Sequence, residues 1–236
     1  MKKVFLDFGH GGKDPGAIGN GLQEKDIVLS VGLLVGKVLE RHNVEVYYSR
    51  TTDIFIELTE RSTMANRLDV DVFVSIHCNS FGDGKAQGLE TFSHPLSKNG
   101  TALAKCIQDS ILKDKLHTKD RGIKTANFSV LRNTKATAAL VELGFISNKE
   151  DSEILKNKQS ELAESVAKGI LNFLGVKYMK EEKSTDLIKL NLHGRDIEVE
   201  GIFLDKTNYV PIRFIEDLGY KVTWKDGKVN INYRKD

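Results

Sequence analysis

The feature that most limits how this chain can fold is an apolar run that stops at a histidine between glycines, VFLDFGHGG in residues 4–12. The apolar side chains predict a short buried strand, and the glycines predict a loop that leaves it. His10 then lies at the carboxyl end of that strand. In an open α/β sheet this edge is where ligands bind, because the loops there converge on a crevice. The run therefore predicts that His10 contributes to a site.

A second run, VDVFVSIHCNS in residues 70–80, is almost continuously apolar until it reaches His77. Such runs are typical of parallel strands that are covered by helices on both faces. Apolar residues at three- and four-residue spacing predict helices between the strands. The predicted helices span residues 24–41, 57–69, 101–112 and 162–174. We therefore predict an α/β fold for residues 1–175, with an open, mostly parallel twisted sheet and helices on both faces.

The segment between these strands and the last helix is less regular. Residues 113–127 are polar and predict a loop that shapes a site, and residues 129–132 predict a short strand. Residues 138–142 predict a second short strand, which places Glu142 at or just past a buried strand end. A carboxylate in such a position is costly unless it has a partner.

The carboxyl-terminal part has a different pattern. Residues 176–185 lose their apolar periodicity and concentrate charge, which predicts a linker. Residues 186–236 contain short strands around one short helix and predict a small α+β domain. Asp226 and Gly227 separate two alternating runs, which is a strong hairpin signal.

Composition and charge exclude several classes of protein. The 236 residues leave room for one large and one small domain, or for a single large domain. The net charge of +2 arises from 35 basic and 33 acidic residues, so we predict no nucleic-acid partner. No apolar run approaches the roughly 20 residues that a membrane-spanning helix needs, so we predict no membrane insertion. The first apolar stretch is too short for a signal peptide, and we expect synthesis in the cytoplasm. Cys78 and Cys106 form no CxxC pair and are predicted to be reduced packing residues.

Two histidines and two glutamates occur at the predicted strand ends and helix starts: His10, Glu24, His77 and Glu142. These are the residue types of a catalytic zinc site, in which two imidazoles and one carboxylate leave a fourth position open. Their spacing is not the local HExxH pattern, so residue types alone also allow structural roles. Glu24 would suit the positive end of a helix dipole, and Glu142 could orient a histidine. The remaining histidines match no ligand motif and are expected at the surface: His42, His94, His117 and His193.

An ordered series of motifs carries a resemblance to a known family. The motifs are FGHGGKDPGAIG, Glu24-Lys25, RTTD, LTERSTMAN, SIHCNS and VELGFISN, and together they cover residues 2–174. In this order they resemble the zinc-dependent N-acetylmuramoyl-L-alanine amidases of the type-3 amidase family, which occur in phage endolysins and bacterial autolysins. Phe8 stands where the family usually has proline. The resemblance implies that His10, Glu24 and His77 bind Zn²⁺, that Glu142 is the catalytic carboxylate, and that peptidoglycan is the substrate.

The predicted small domain resembles the copper-amine-oxidase N-terminal-like, or stalk-like, module of bacterial surface proteins. The segment YVPIRFIEDLGYKVTWKDGKVNI carries that likeness. On an amidase, such a module implies attachment to the cell wall, since a second contact raises the local concentration of enzyme. Packing on the catalytic domain and homodimerisation through this domain are equally open, so the oligomeric state is left unassigned.

Three alternatives differ from the amidase hypothesis. Another zinc hydrolase of wall peptides or sugars would share the four site residues. A non-catalytic wall-binding protein would be indicated by the loss of one of them, and all four are present. A nucleotide site fails because GHGGKDPG matches neither glycine-rich phosphate motif. With no signal peptide expected, the interpretation favours a phage or prophage endolysin that acts on the wall after its release.

Overall fold

The computed structural model describes residues 1–116, 119–180, 185–192, 195–204, 207–209, 212–217, 219–225 and 228–233. The chain divides into two compact units, which we call the large unit (Met1–Met179) and the small unit (Lys180–Asp236). The strands of the large unit are β1 (Lys3–Phe8), β2 (Ile18–Gly19), β3 (Leu22–Gln23), β4 (Glu45–Tyr48), β5 (Val72–Asn79), β6 (Leu89–Ser93), β7 (Asp120–Thr125) and β8 (Thr137–Phe145). Its helices are α1 (Glu24–Glu40), α2 (Leu58–Leu68), α3 (Lys98–Lys113), α4 (Ser129–Asn133), α5 (Lys149–Asn157) and α6 (Gln159–Leu174).

Six strands of the large unit form one sheet in the order β4-β1-β5-β8-β6-β7. Every neighbouring pair is parallel except β6 and β8, which are antiparallel. Helices α1, α3 and α6 bury apolar side chains such as Val28, Ile107 and Val166 against one face of the sheet. Helices α2 and α4 cover the other face around Phe5 and Phe73. The prediction of a mostly parallel sheet with helices on both faces is confirmed.

Two segments differ from the sequence prediction. Residues 113–127, predicted as a loop, contain the edge strand β7, which pairs with β6 and is only partly buried. An edge strand of this kind lacks the apolar alternation that marks a strand in sequence. Residues 129–132, predicted as a strand, lie in helix α4, whose Val130 and Leu131 are buried. So short an apolar run has no periodicity that separates helix from strand.

His77 and Glu142 lie within strands and not beyond their ends. Strand β5 continues to Asn79 and β8 continues to Phe145. The two side chains are direct neighbours across the parallel β5–β8 pair. The expected edge of the sheet is therefore correct, but the strands are longer than predicted and hold both side chains on rigid backbone.

The end of the large unit packs around His42, which was expected at the surface and is buried. Its ring stacks on Tyr178 with 5.4 Å between centroids, and its Nε2 accepts a hydrogen bond from the Met179 backbone N–H at 2.9 Å. These contacts carry the large unit to Met179, beyond the domain end predicted at residue 175. Residues 181–184 of the predicted linker, together with His117 and His193, lie outside the described residues.

The small unit contains strands β9 (Thr185–Leu192), β10 (Arg195–Leu204), β11 (Thr207–Tyr209), β12 (Tyr220–Lys225) and β13 (Lys228–Tyr233), and helix α7 (Ile212–Asp217). Strands β11, β10 and β9 form one antiparallel sheet, and β12 and β13 form an antiparallel hairpin in whose register Trp224 pairs with Val229. The predicted hairpin is confirmed, although its turn residues, Asp226 and Gly227, lie outside the described residues. Among the helices described in either unit, none combines the length and apolar character needed to span a bilayer.

Candidate metal centre

His10, Glu24 and His77 converge from three different elements. His10 lies in the loop after β1, Glu24 is the first residue of α1, and His77 lies in β5. One nitrogen or carboxylate oxygen from each residue lies within 4.8 Å of the others. Glu24 is buried and the two imidazoles are half-buried, so the group is reached from one side only.

The Glu24 carboxylate is the centre of this group. Its Oε1 lies 2.9 Å from His77 Nδ1, and its Oε2 lies 3.1 Å from His10 Nε2. The backbone N–H groups of Ala17 and Cys78 each donate to one of these oxygens at 2.9 Å. Four contacts therefore hold the carboxylate, which keeps it ionised although it is buried.

Cys78 and Cys106 are both free thiols, as predicted.

His10 has a second carboxylate partner that the sequence analysis did not single out. Its Nδ1 lies 2.8 Å from Asp14 Oδ2. An imidazole that donates its Nδ1–H to a carboxylate keeps the lone pair of Nε2 free for a metal ion. The signal was the DPG turn of GHGGKDPG, which the sequence analysis treated only as part of the opening motif.

Two buried arginines hold the loop that carries His10. His10 has a φ of 60°, in the left-handed region that few residues other than glycine adopt. Arg61 donates to the carbonyl oxygens of Phe8 and His10 at 2.5 and 2.8 Å, and Arg50 donates to that of Gly9 at 2.9 Å. Three successive carbonyls are thus fixed from inside the protein.

The charge of Arg61 is balanced inside the apolar run that opened the sequence analysis. Arg61 Nη1 lies 2.8 Å from Asp7 Oδ1, and Ser75 donates a hydrogen bond to the other oxygen of Asp7 at 2.7 Å. Asp7 is fully buried, and a buried carboxylate is stable only with such partners. An aspartate within VFLDF was the sequence signal for this pair.

Glycines allow the imidazoles to approach the loop. A Cβ atom on Gly9 would lie 2.3 Å from Cε1 of His77, and one on Gly16 would lie 2.6 Å from Cδ2 of His10. Gly16 also has a φ of 67°, which side chains disfavour. The glycines of the first motif therefore make room for the rings.

Glu142 lies beside this group without a hydrogen-bonding partner for one of its oxygens. Its Oε2 is buried and contacts no donor among the described residues. Burial raises the pKa of Glu142 to about 7; the charges of Glu24 and Glu90 act in the same direction, and His77 opposes them. A carboxyl group with a pKa near neutrality can both accept and return a proton.

The shifted pKa of Glu142 favours its neutral form, whereas the shifted pKa values of His10, Glu24 and His77 favour their charged forms. Burial disfavours charge on His10, but its bonds to Glu24 and Asp14 raise its pKa to about 9. Burial also disfavours charge on His77, but its bond to Glu24 and the negative charges around it together raise its pKa. Burial opposes ionisation of Glu24, yet the two imidazoles lower its pKa below the usual range. The cluster favours positive charge on its nitrogens, which a bound cation would supply in place of protons.

A cleft of about 470 Å³ opens over His10, His77 and Glu142. This volume lies within the range of small-molecule sites. The side chains of Phe55, Leu58 and Phe128 also line it. The structure therefore brings His10, His77 and Glu142 to one cleft that has a polar floor and an apolar wall. Glu24 lies behind the two imidazoles, in contact with both of them.

Comparisons with known proteins identify the family of the chain. Residues 4–172 match the N-acetylmuramoyl-L-alanine amidase family. The chain is 42% identical over 184 residues to an endolysin of Bacillus phage SPP1, covering 75% of this chain and 67% of the endolysin. It is 38% identical over 196 residues to a sporulation-specific N-acetylmuramoyl-L-alanine amidase of Bacillus subtilis, covering 81% of this chain and 74% of that enzyme.

Solved structures give the same result. An N-acetylmuramoyl-L-alanine amidase of Nostoc punctiforme superposes with a TM-score of 0.71 at 39% identity, covering 74% of this chain and 97% of the amidase. The catalytic domain of an amidase from Bacillus (Paenibacillus) polymyxa gives a TM-score of 0.71 at 36% identity, with coverage of 75% and 100%. From its sequence match and its fold, the chain belongs to the N-acetylmuramoyl-L-alanine amidase family.

Proposed function

We propose that this chain hydrolyses the amide bond between the lactyl group of N-acetylmuramic acid and L-alanine in peptidoglycan, with zinc held by His10, Glu24 and His77. Family membership supports the reaction. The observation that carries the site assignment is the convergence of two imidazoles on one buried carboxylate, beside Glu142, one oxygen of which is buried without a donor among the described residues.

The donor set fits zinc. Imidazole nitrogen and carboxylate oxygen are zinc ligands, and a set of two histidines and one glutamate is used in catalytic sites with an open position. The atoms lie close enough for one ion to replace the contacts that Glu24 now makes with the two rings. When bound, zinc polarises the scissile carbonyl and activates the attacking water.

Glu142 is assigned the proton transfers. It lies next to His77 across the β5–β8 pair, in the same cleft. As a carboxylate it accepts the proton of the attacking water, and as a carboxylic acid it returns that proton to the nitrogen of the leaving L-alanine. The buried surroundings that raise its pKa make both states accessible near neutral pH.

The test is digestion of purified peptidoglycan with and without a zinc chelator, followed by mass and end-group analysis of the soluble products. We expect free peptides with new L-alanine amino termini, released only when the chelator is absent. New termini elsewhere in the peptide would indicate a wall peptidase, and new reducing sugars would indicate a glycosidase. No release from several wall types by folded, zinc-loaded protein would support a wall-binding protein without activity.

For the small unit we propose attachment to the cell wall, in keeping with the stalk-like module that its sequence resembles. For the whole chain we propose action on the wall after release from the cell, as an endolysin or autolysin. A chain that ends at Met179 should cleave a soluble muramoyl peptide as the full chain does and should lose binding to sedimented walls. Equal wall binding by both chains would remove the targeting role.

A further inference from the structure

Acidic side chains continue from the metal centre across two more strands. His77 in β5 faces Glu142 in β8, and Glu142 faces Glu90 in β6. Directly opposed residues on neighbouring strands project from the same face of a sheet. Glu90 is therefore on the face that carries the cleft, one strand further from the proposed zinc ligands than Glu142.

Glu90 is held by two cations from the edge strand. Its Oε2 lies 2.6 Å from Arg121 Nε and 2.6 Å from Lys124 Nζ, and its Oε1 accepts a hydrogen bond from the Asn79 amide at 2.6 Å. Both carboxylate oxygens of Glu90 therefore already accept hydrogen bonds from neighbouring side chains. Within this group, two positive charges face one negative charge, which leaves a net charge of about +1.

The cations retain unused donors. Arg121 uses Nε for Glu90, and none of the residues that the structure describes accepts a hydrogen bond from its two terminal nitrogens. The guanidinium lies 4.8 Å from the centre of the Phe145 ring, which fixes its plane. Its side chain is 26% exposed and that of Lys124 is 39% exposed, so both can be reached from solvent.

The cationic pair is connected to the cleft through two rings. Phe128 lines the cleft, and its ring centre lies 5.3 Å from that of Phe92. Lys124 Nζ lies 5.9 Å from the Phe92 ring centre. A substrate that extends from Glu142 along this wall would therefore arrive at the unused donors of Arg121 and Lys124.

The distance corresponds to two residues of peptide. Neighbouring strands are about 4.8 Å apart, so the Arg121 and Lys124 nitrogens that contact Glu90 lie roughly 5–8 Å from Glu142. An extended peptide advances about 3.3–3.6 Å per residue. If Glu142 acts at the nitrogen of the scissile amide, the second residue of the released peptide reaches the cations.

We propose that Arg121 and Lys124 form a subsite for a carboxylate on the second residue of the peptide that the enzyme releases. This inference rests on the proposed amidase function and adds a determinant of substrate specificity to it. The ligand is a peptide carboxylate, bound by charge-assisted hydrogen bonds from a guanidinium that Glu90 and Phe145 hold in place.

The test compares two soluble substrates that differ in one group, N-acetylmuramoyl-L-alanyl-γ-D-glutamyl-L-lysine and its isoglutaminyl counterpart, in which the α-carboxylate of the second residue is a carboxamide. In both substrates the γ-carboxyl group of that residue is part of a peptide bond. We expect the parent enzyme to prefer the carboxylate in kcat/KM by about tenfold to a hundredfold, as for a hydrogen-bonded charge pair. Arg121→Gln should reduce this ratio to near one, and Lys124→Gln should reduce it by a smaller factor. General damage to the protein would lower both rates and leave their ratio unchanged. An unchanged ratio in Arg121→Gln would therefore overturn the proposal.

Lys105→Gln is the matched control, because Lys105 is an exposed lysine of α3 that pairs with Asp109. It removes the same charge and should keep the parent's preference. Equilibrium binding of both peptides to zinc-loaded protein separates the subsite from the reaction. Tighter binding of the carboxylate peptide without cleavage would support the subsite and contradict the amidase function. Equal binding of the two peptides would overturn the subsite even if both are cleaved.

Discussion

Glu24, which is buried, and Glu142, which is half-buried, are two glutamates of one site whose pKa values shift in opposite directions. Glu24 accepts contacts from two imidazoles and two backbone N–H groups, and its pKa is lowered. Glu142 has a buried oxygen with no described donor, and its pKa rises to about 7. Burial penalises charge on both, so their partners decide the difference. The comparison shows how one site can hold an ionised carboxylate next to a carboxyl group whose pKa lies near neutrality.

The largest effect is expected for Glu142→Gln. The amide cannot take the proton of the attacking water, so we expect kcat/KM to fall by about 10³-fold, within the usual range for a general acid–base residue. Zinc content should remain at one ion per chain, since Glu142 is not a proposed ligand. Cleavage of a soluble muramoyl peptide and metal analysis measure the two quantities.

Glu161→Gln is the control for this variant, because Glu161 is an exposed glutamate of α6 paired with Lys158. It should cleave the peptide as fast as the parent. Substantial activity in Glu142→Gln would break the comparison by showing that Glu142 is not the base.

The main effect of Glu24→Gln should be weaker zinc binding. It replaces a charged ligand by a neutral amide, and we expect zinc affinity to fall by at least about 100-fold, more than the loss of an outer partner. Competition against a chelating dye measures the affinity, and circular dichroism checks the fold. Unchanged zinc affinity would place the ion elsewhere.

A smaller effect is expected for Asp14→Asn, which removes the carboxylate behind His10. We expect zinc affinity to fall by about 10–100-fold, because the partner of a ligating imidazole sets its tautomer and basicity. Asp109→Asn, on the exposed face of α3, is the matched control and should keep the parent's affinity. An effect as large as that of Glu24→Gln would instead make Asp14 a ligand.

The pH dependence of zinc binding tests the protonation state of the free ligands. In the metal-free protein the pKa of His10 is about 9, so at lower pH its ring carries a proton that zinc must displace. Apparent zinc affinity should therefore rise as the pH increases from 6 to 8, by up to about tenfold per unit for each proton released. In Asp14→Asn the pKa of His10 should be lower, and the rise should level off at a lower pH. A flat profile in the parent would mean that zinc binding displaces no proton.

Sequence patterns predicted the parts of the fold in which burial dominates. The apolar run of β5 and the spaced apolar face of α1 match their elements within a few residues, because both are packed on the core. Strand β7 was missed because an edge strand need not alternate. Helix α5 was also missed, although Asn148 accepts hydrogen bonds from two backbone N–H groups of its first turn, as a helix cap does.

The same contrast holds for the candidate site. His10, Glu24, His77 and Glu142 were proposed from their residue types and from ordered motifs, and the fold brings them together. Arg61 and Asp7 were not predicted to support the site, because their pairing crosses about fifty residues of sequence and depends on how α2 packs on β1. Arg121 and Lys124 lie in the segment predicted as a loop, so nothing in the sequence placed them beside Glu90.

Arg50 and Arg61 hold the His10 loop with groups of the protein alone, which has a consequence for binding of the proposed zinc ion. The conformational entropy of ordering that loop, roughly 1–2 kcal/mol for each residue's backbone, is lost when the chain folds and not when an ion arrives. A preorganised cage binds its ion without that cost. We therefore expect a stable apoprotein that can be emptied and refilled without unfolding. Lytic activity would then follow the free zinc concentration of the compartment that the enzyme reaches.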